Sequence, residues 1–370
     1  MRKPLVSRGR LVGLGAVLAL AVGLLLVAQA LGPQGSQGGA ARPAAPRDTW
    51  TGVERIVAVG DVHGDYAQFV KVLRAAGVID EANRWAAGKT HLVQTGDVLD
   101  RGPDSRKAMD LLMDLEGQAA RAGGAVHALI GNHEAMVLLD DWRYVHPGEP
   151  AAFGSAAAWR RAMGPDGTYG RWIRSHPTAI RVNDLLFVHA GIVPAVARRS
   201  LADINQTVLG EIQTREVAGL LGSEDGPLWD RSLVDGDEET VARQLDAILK
   251  RYGARRMVVG HSVVPDGRVT ARAGGRLIMI DVGMAEYYGG PAACLVVEGD
   301  TLWEVRSPGL KRRIPLDEPA PAPASAPIPA PAPAPVLAPT SRAPLPGLPR
   351  RSPTGEAGCV ADREPLRRAA

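Results

Sequence analysis

The chain has 370 residues, 45% hydrophobic and 22% charged, with two cysteines and a formal net charge of +3; that length suggests one large or two ordinary domains. The positive charge sits at the ends. Residues 1–50 carry +5 and residues 307–370 carry +4, which leaves −6 on residues 51–306 and excludes a nucleic-acid partner, because phosphate backbones demand a basic face.

At the start, Arg2, Lys3, Arg8 and Arg10 precede an uncharged apolar stretch over residues 11–31. A charged region followed by an apolar one reads as a signal peptide or signal anchor over residues 1–31, with small residues Ala28 and Ala30 offering a cleavage site. The stretch approaches the ~20 residues that span a bilayer, which favours the anchor, and the flanking positive charges imply that the rest is exported. The expected location is therefore the cell envelope, with membrane contact only through this segment. Residues 32–50, rich in Gly, Ala, Pro and Gln, read as a flexible linker. At the other end, more than half of the 29 prolines fall within residues 307–370. Such a composition cannot bury a core, so this region reads as a disordered Pro/Ala-rich tail.

Between these ends, residues 51–306 form the expected catalytic domain. Apolar, strand-like runs lie at 55–59, 91–94, 125–130, 184–188, 256–259, 276–280 and 294–297. The stretches "YAQFVKVLRAAGV" and "RKAMDLLMDLEGQAARA" repeat apolar residues at helical spacing. Strands alternating with helices predict an α/β fold, a two-sheet β-sandwich flanked by helices, whose later strands make a second, more antiparallel sheet. Cys294, inside an apolar run, reads as a small buried hydrophobe; Cys359 lies in the tail, so no disulfide is expected.

Several of these runs end in a residue type that binds metals. "VGDVHG" presents Asp61 and His63, "HLVQTGD" Asp97, "HALIGNHE" Asn132 and His133, "LLFVHAG" His189, and "RMVVGHS" His261. Ligand sites of open α/β sheets gather beyond the carboxyl ends of the strands, so these residues are expected to converge. Asp61 and His63 are expected to hold one metal and Asn132, His189 and His261 the other, with Asp97 shared between them. Carboxylate, amide and imidazole donors without thiolate suit Mn, Fe or Zn, with Mn favoured. Two such ions ~3.5–4 Å apart stabilise attacking and leaving oxygens and generate hydroxide at neutral pH, which is machinery for phosphate-ester hydrolysis by direct attack of a bridging hydroxide. Arg101 and Arg231 supply planar donors that match phosphate oxygens. His133, beside a ligand and oriented by Asp100, is the candidate general acid, and Glu134 a candidate loop-orienting residue. Among the other histidines, His127 reads as a core residue, His91 and His176 as loop residues, and His146 as a candidate lining of the cleft.

The motifs "GDVHG", "GDVLDRG", "GNHE", "FVHAG" and "VVGH", in that order, resemble those of calcineurin-like metallophosphoesterases, and more closely the phosphoprotein phosphatase group. "QTGDVLDRGPDS", "LIGNHEAM", "GPLW" and "IDVGM..YYGG" look like the bacterial Shewanella-like protein phosphatases. The similarity runs approximately from residue 55 to residue 305. It implies the metallophosphoesterase fold, metal ligands at Asp61, His63, Asp97, Asn132, His189 and His261, a His133–Asp100 acid pair, and phosphate contacts at Arg101 and Arg231. The chain departs from the pattern at Asp230, where relatives often carry an aromatic residue. The implied activity is a metal-dependent phosphomonoesterase, serine/threonine- or tyrosine-type, acting on phosphoproteins. The alternatives are the same chemistry on nucleotides or other small phosphate esters, and a non-enzymatic envelope scaffold.

Overall fold

The computed structural model describes residues 47–316; the leader, most of the linker and nearly all of the tail lie outside the described residues. Two six-stranded sheets form the frame. The first has the order β12-β11-β10-β2-β3-β4 and the second β1-β5-β6-β7-β9-β8. The strands are β1 (Thr49–Trp50), β2 (Arg55–Val59), β3 (His91–Gln94), β4 (Ala125–Ala128), β5 (Ala179–Val182), β6 (Leu185–Val188), β7 (Arg256–Val259), β8 (Thr270–Arg272), β9 (Leu277–Met279), β10 (Ala293–Glu298), β11 (Thr301–Arg306) and β12 (Leu310–Arg313).

Each sheet has a parallel centre. In the first, β2, β3 and β4 run parallel; in the second, β6, β7 and β9 do. Central parallel strands are covered on both faces and read as continuous apolar runs. Accordingly, Ile56–Val59 and Leu185–Val188 are buried without alternation. The expectation of a more antiparallel second sheet does not hold. Its antiparallel pairs are only β5 with β6 and β8 with β9, whereas β10, β11 and β12 form an antiparallel wing on the first sheet through β2. The reason is that the strand expected at 294–297 returns beside β2 rather than beside β9.

Helices α1 (Tyr66–Ala75) and α2 (Ser105–Arg121) join the first three parallel strands and bury Phe69, Val72 and Leu73, and Ala108, Met109, Leu112 and Leu115. This is the i, i+3, i+4 spacing of a helix laid on a sheet. Two helices that periodicity had not singled out, α7 (Leu201–Thr214) and α9 (Glu238–Tyr252), cover the second sheet. Their Leu201, Ile204, Val241, Leu245 and Ile248 pack with Leu186, Val188, Met257 and Val259. Between β4 and β5 the chain builds a helical insert of α3 (Asn132–Leu138), α4 (Glu149–Ala152), α5 (Ala156–Met163) and α6 (Thr168–Ile173). A short helix, α8 (Ser232–Asp235), precedes α9.

Both expected domain boundaries move outward. β1 lies in the stretch read as linker yet pairs with β5. β12 lies in the stretch read as tail yet pairs with β11, and Ile314 beyond it is 2% exposed. A two-residue strand and the edge strand "LKRR" carry too little apolar pattern to stand out against Pro-rich flanks. Cys294 is fully buried and its thiol is pushed up to about 12 by burial. Among the described residues, no helix is long and apolar enough to cross a membrane.

Candidate active site

Five of the six parallel strands end in one of the expected residues: β2 in Asp61 and His63, β3 in Asp97, β4 in Asn132 and His133, β6 in His189, and β7 in His261. Direct contacts join the ends of the two sheets. Asp61 Oδ1 accepts from the backbone N–H of His261 at 3.0 Å, and His189 Nδ1 lies 2.9 Å from the Thr95 carbonyl. His63, Asp97 and His133 present ligand atoms within 4.8 Å of one another, and so do Asp97, His189 and His261. Asp97 belongs to both groups.

The ring orientations show what the site is built to hold. A carbonyl can only accept, so His189 turns Nδ1–H to Thr95 at 2.9 Å and leaves Nε2 to face the site. There it lies 2.8 Å from Asn132 Oδ1 and 3.4 Å from Asp97 Oδ2. His261 Nδ1 reaches the same Asn132 oxygen at 3.1 Å, while its buried Nε2 has no partner. His63 is arranged alike: Nδ1 is 3.1 Å from the Leu99 carbonyl, and Nε2 points at Asp61 Oδ2 (3.7 Å) and Asp97 Oδ2 (3.9 Å). Lone pairs converging from both sides on a shared carboxylate repel unless a cation lies among them, and ligating histidines have their other nitrogen fixed by just such carbonyls. The donor set therefore fits two divalent cations.

Electrostatics agree. Burial, with help from His133, lowers His63 to about 3, and burial with His189 and Arg231 holds His261 well below its usual value; both rings stay neutral, the form that binds metal. Burial opposes ionisation of Asp97, but the imidazoles of His189 and His133 outweigh it and hold the carboxyl low. Asp61 is pushed up by burial, by Asp281 and by Asp97. Such crowding of buried carboxylates calls for positive charge.

The backbone is strained where the site needs it. His63, Asp97, Asp100, Arg101 and His261 all adopt left-handed φ angles between 47° and 71°, each costing roughly 1–3 kcal/mol for a residue with a side chain. Glu134 stabilises two of the loops. Its Oε2 accepts from the N–H groups of Asp97 (2.7 Å) and Gly131 (2.9 Å), and its Oε1 from Val98 (2.8 Å) and Leu99 (3.2 Å). Gly131 has no room for a side chain, since a Cβ there would strike Asp97. Glu134→Gln replaces one oxygen by an amide and leaves two buried N–H groups without an acceptor, at ~1–3 kcal/mol each. The metal-free variant is expected to unfold at a clearly lower urea midpoint; an unchanged midpoint removes the clamp role.

His133 Nδ1 lies 2.7 Å from Asp100 Oδ2, and its backbone N–H donates to Asp97 Oδ1 at 2.9 Å. Burial would lower His133, but Asp97 and Asp100 outweigh it and raise the ring. The Arg101 guanidinium lies over the rings of Tyr144 and Tyr287, 4.0 and 4.8 Å from their centres, and its Nε is buried without a partner. Arg231 donates to Ser262 Oγ at 2.9 Å, one residue from His261. Asp230, the departure from the family pattern, turns away: its Oδ1 accepts from the N–H and hydroxyl of Ser232 at the start of α8.

Other histidines stand apart from both donor groups. His127 and His91 pair with each other at 3.0 Å, with the ring of Trp50 4.2 Å from that of His127. His176 stacks edge-on against Trp172. His146, the candidate cleft lining, accepts from the Gly148 N–H and joins neither group. Asp281 had no role assigned, although it follows the apolar run of β9 by the same rule as the others. It is 1% exposed, accepts from the Gly283 N–H at 2.9 Å, and has an unpartnered Oδ2. Burial, its largest influence, raises it to about 6.

The family profile of calcineurin-like phosphoesterases matches residues 54–265. Shewanella-like protein phosphatase 1 of Plasmodium berghei is 30% identical over 257 residues, 65% of this chain and 70% of that protein. A symmetrical bis(5'-nucleosyl)-tetraphosphatase of Acidovorax is 30% identical over 194 residues, 48% of this chain and 60% of that protein. Among solved structures, a cold-active protein-tyrosine phosphatase of a psychrophilic Shewanella aligns with a TM-score of 0.65 at 31% identity, covering 72% of this chain and 82% of the other.

Proposed function

We propose that this chain, which belongs to the calcineurin-like phosphoesterase family, is a phosphomonoesterase of the protein phosphatase type, acting on phosphorylated side chains. The reading is carried by the meeting of His189 Nε2, Asn132 Oδ1 and Asp97 Oδ2, three potential metal-donor atoms turned on one another while His189 Nδ1 is held by the Thr95 carbonyl. Asp61, His63 and Asp97 would hold one divalent cation, and Asp97, Asn132, His189 and His261 the other. The donors suit Mn, Fe or Zn, with Mn favoured. When bound, such a pair supplies Lewis-acid polarisation of the phosphate and a hydroxide nucleophile at neutral pH.

The chain's own groups do the rest. Arg101 and Arg231 grip the phosphate oxygens, presenting planar N–H edges that match them two at a time. His133, oriented by Asp100 and raised by Asp97 and Asp100, gives its proton to the leaving oxygen as the P–O bond breaks. The location rests on sequence: the leader over residues 1–31 delivers the domain to the cell envelope.

Resemblance to a protein phosphatase over 65% of the chain, against 48% for the nucleotide hydrolase, favours phosphoprotein substrates. The test is phosphate release by the full chain with added Mn from a phosphopeptide panel, mononucleotides and diadenosine tetraphosphate. Faster turnover of phosphopeptides is expected. Faster turnover of the nucleotides transfers the chain to small-molecule substrates, and no release from any of them returns it to a scaffold.

A further inference from the structure

One buried carboxyl group of the helical insert has no part in the site described above. Glu149, at the start of α4, is 2% exposed. Its Oε1 accepts from the Ser105 backbone N–H at 2.6 Å, across 44 residues of sequence. Ser105 opens α2, and Asp104 before it makes no side-chain capping bond. The first N–H groups of a helix have no acceptor within it, so Glu149 caps α2 from another part of the chain.

The segment in front of α2 needs such support. Asp100 and Arg101 take left-handed φ angles of 71° and 65° in succession, and strain of that kind persists only where the surroundings impose it. Two sets of bonds do so. From the loop of the expected ligand His63, the carbonyls of His63 and Gly64 accept from Gly102 (2.9 Å) and Asp104 (3.0 Å). From the insert, the Tyr144 carbonyl accepts from Arg101 at 3.0 Å, and Glu149 accepts from Ser105. Glu149 is itself held, since its N–H donates to the His146 carbonyl at 3.0 Å, and Arg106 of α2 donates to the Ala152 carbonyl at the end of α4. The two site residues of the segment differ in how they are fixed. Asp100 is held through its own side chain, 2.7 Å from His133 Nδ1. Among the described residues, the Arg101 side chain hydrogen-bonds only the Tyr287 hydroxyl, at 3.4 Å, and its Nε is unpartnered. Slack in the segment therefore falls on Arg101.

We propose that Glu149 is a positioning residue for phosphate binding: by capping α2 from the helical insert it holds the backbone of Arg101 in place, and so sets phosphate affinity without touching the substrate. This rests on the phosphate-binding role of Arg101 given above. Burial, with Asp100 and Asp104 adding to it against the bonds from Ser105, raises Glu149 to about 7. The place therefore tolerates an uncharged side chain, and an amide oxygen can accept from the Ser105 N–H as the carboxyl does.

The experiment uses the full chain loaded with Mn, as wild type, Glu149→Met, Glu149→Gln, Arg101→Ala and the double variant of Arg101→Ala with Glu149→Met. It measures bound Mn, the Kd of inorganic phosphate by calorimetry, and kcat and KM for p-nitrophenyl phosphate. Glu149→Met keeps the volume but accepts no hydrogen bond from Ser105. It is expected to retain its Mn and to raise Kd and KM together by about 3–10-fold, with kcat changed by less than about twofold. Glu149→Gln is expected to keep the wild-type values. In the Arg101→Ala background Glu149→Met should add nothing, because its effect passes through that side chain. Unchanged Kd and KM in Glu149→Met, an equal loss in Glu149→Gln, the same loss added to Arg101→Ala, or loss of bound Mn overturns the proposal. Should Glu149→Met not fold, Glu149→Asp, whose shorter reach stretches the bond, takes its place with the same expected and overturning results. If the ester is not hydrolysed while phosphate binding depends on Glu149, the positioning role stands and the phosphomonoesterase reading falls. If wild type neither hydrolyses the ester nor binds phosphate, both fall.

Discussion

Asp97→Asn is expected to yield a folded protein that retains neither cation after dialysis and whose turnover drops by on the order of 10³-fold or more, because metal polarisation contributes several kcal/mol to the transition state. Asp97 is the one side chain common to both groups of ligand atoms. Its Oδ2 lies 3.4 Å from His189 Nε2, 3.8 Å from His133 Nε2 and 3.9 Å from His63 Nε2. An amide at that position presents hydrogens to those nitrogens in place of a bridging charge. The fold itself is expected to survive. An amide oxygen can still accept from the His133 N–H, the bond that Asp97 Oδ1 makes at 2.9 Å. Removing one of the crowded charges also relieves Asp61, which Asp281 and Asp97 together push up. That relief is offset by the loss of a carboxylate that its imidazole neighbours hold low, so the metal-free variant should fold but be moderately less stable than metal-free wild type. Elemental analysis and a urea titration of the same sample separate the two effects; two retained equivalents with full turnover exclude the bridging role.

What was legible in the sequence followed one rule, that a buried parallel strand ends where its chain turns out of the sheet. Asp61, Asp97, Asn132, His189 and His261 all obey it, and the structure brings them together. Asp281 obeys it too, after the run that becomes β9, but lay unassigned within a motif read only for its resemblance. The antiparallel wing was harder to read for an energetic reason. β11 places Glu304, 2% exposed, at an inward position. A buried carboxylate breaks the apolar alternation that marks a strand, and it is tolerated here because Arg306 and Arg312 both pair with it, at 2.9 and 2.5 Å. Those partners come from β11 itself and from β12, so the strand is intelligible only once its neighbour is present. The aromatic frame of Arg101 was hidden similarly: Tyr144 lies in the helical insert and Tyr287 beyond β9, and no local pattern links either to residue 101.

His133→Asn is expected to leave both cations bound and to lower turnover by about 10²–10⁴-fold, the usual worth of a positioned proton donor. His133 Nδ1 is committed to Asp100 at 2.7 Å, which leaves Nε2 to face the leaving oxygen. The acid works only while it is protonated, so activity is present below the pKa of the ring and is lost as pH rises through it. Asp97 and Asp100 raise that pKa against the opposing effect of burial, which carries the active range upward. Asp100→Asn removes one of the two supports, so its alkaline limb should move to lower pH while metal content is unchanged. The same substitution should matter less for an ester with a good leaving group, such as p-nitrophenyl phosphate, than for an alkyl phosphate, because an alkoxide needs the proton and a stabilised phenolate does not. Equal losses on both substrates, with no movement of the alkaline limb, assign the pair to holding the loop and not to proton transfer.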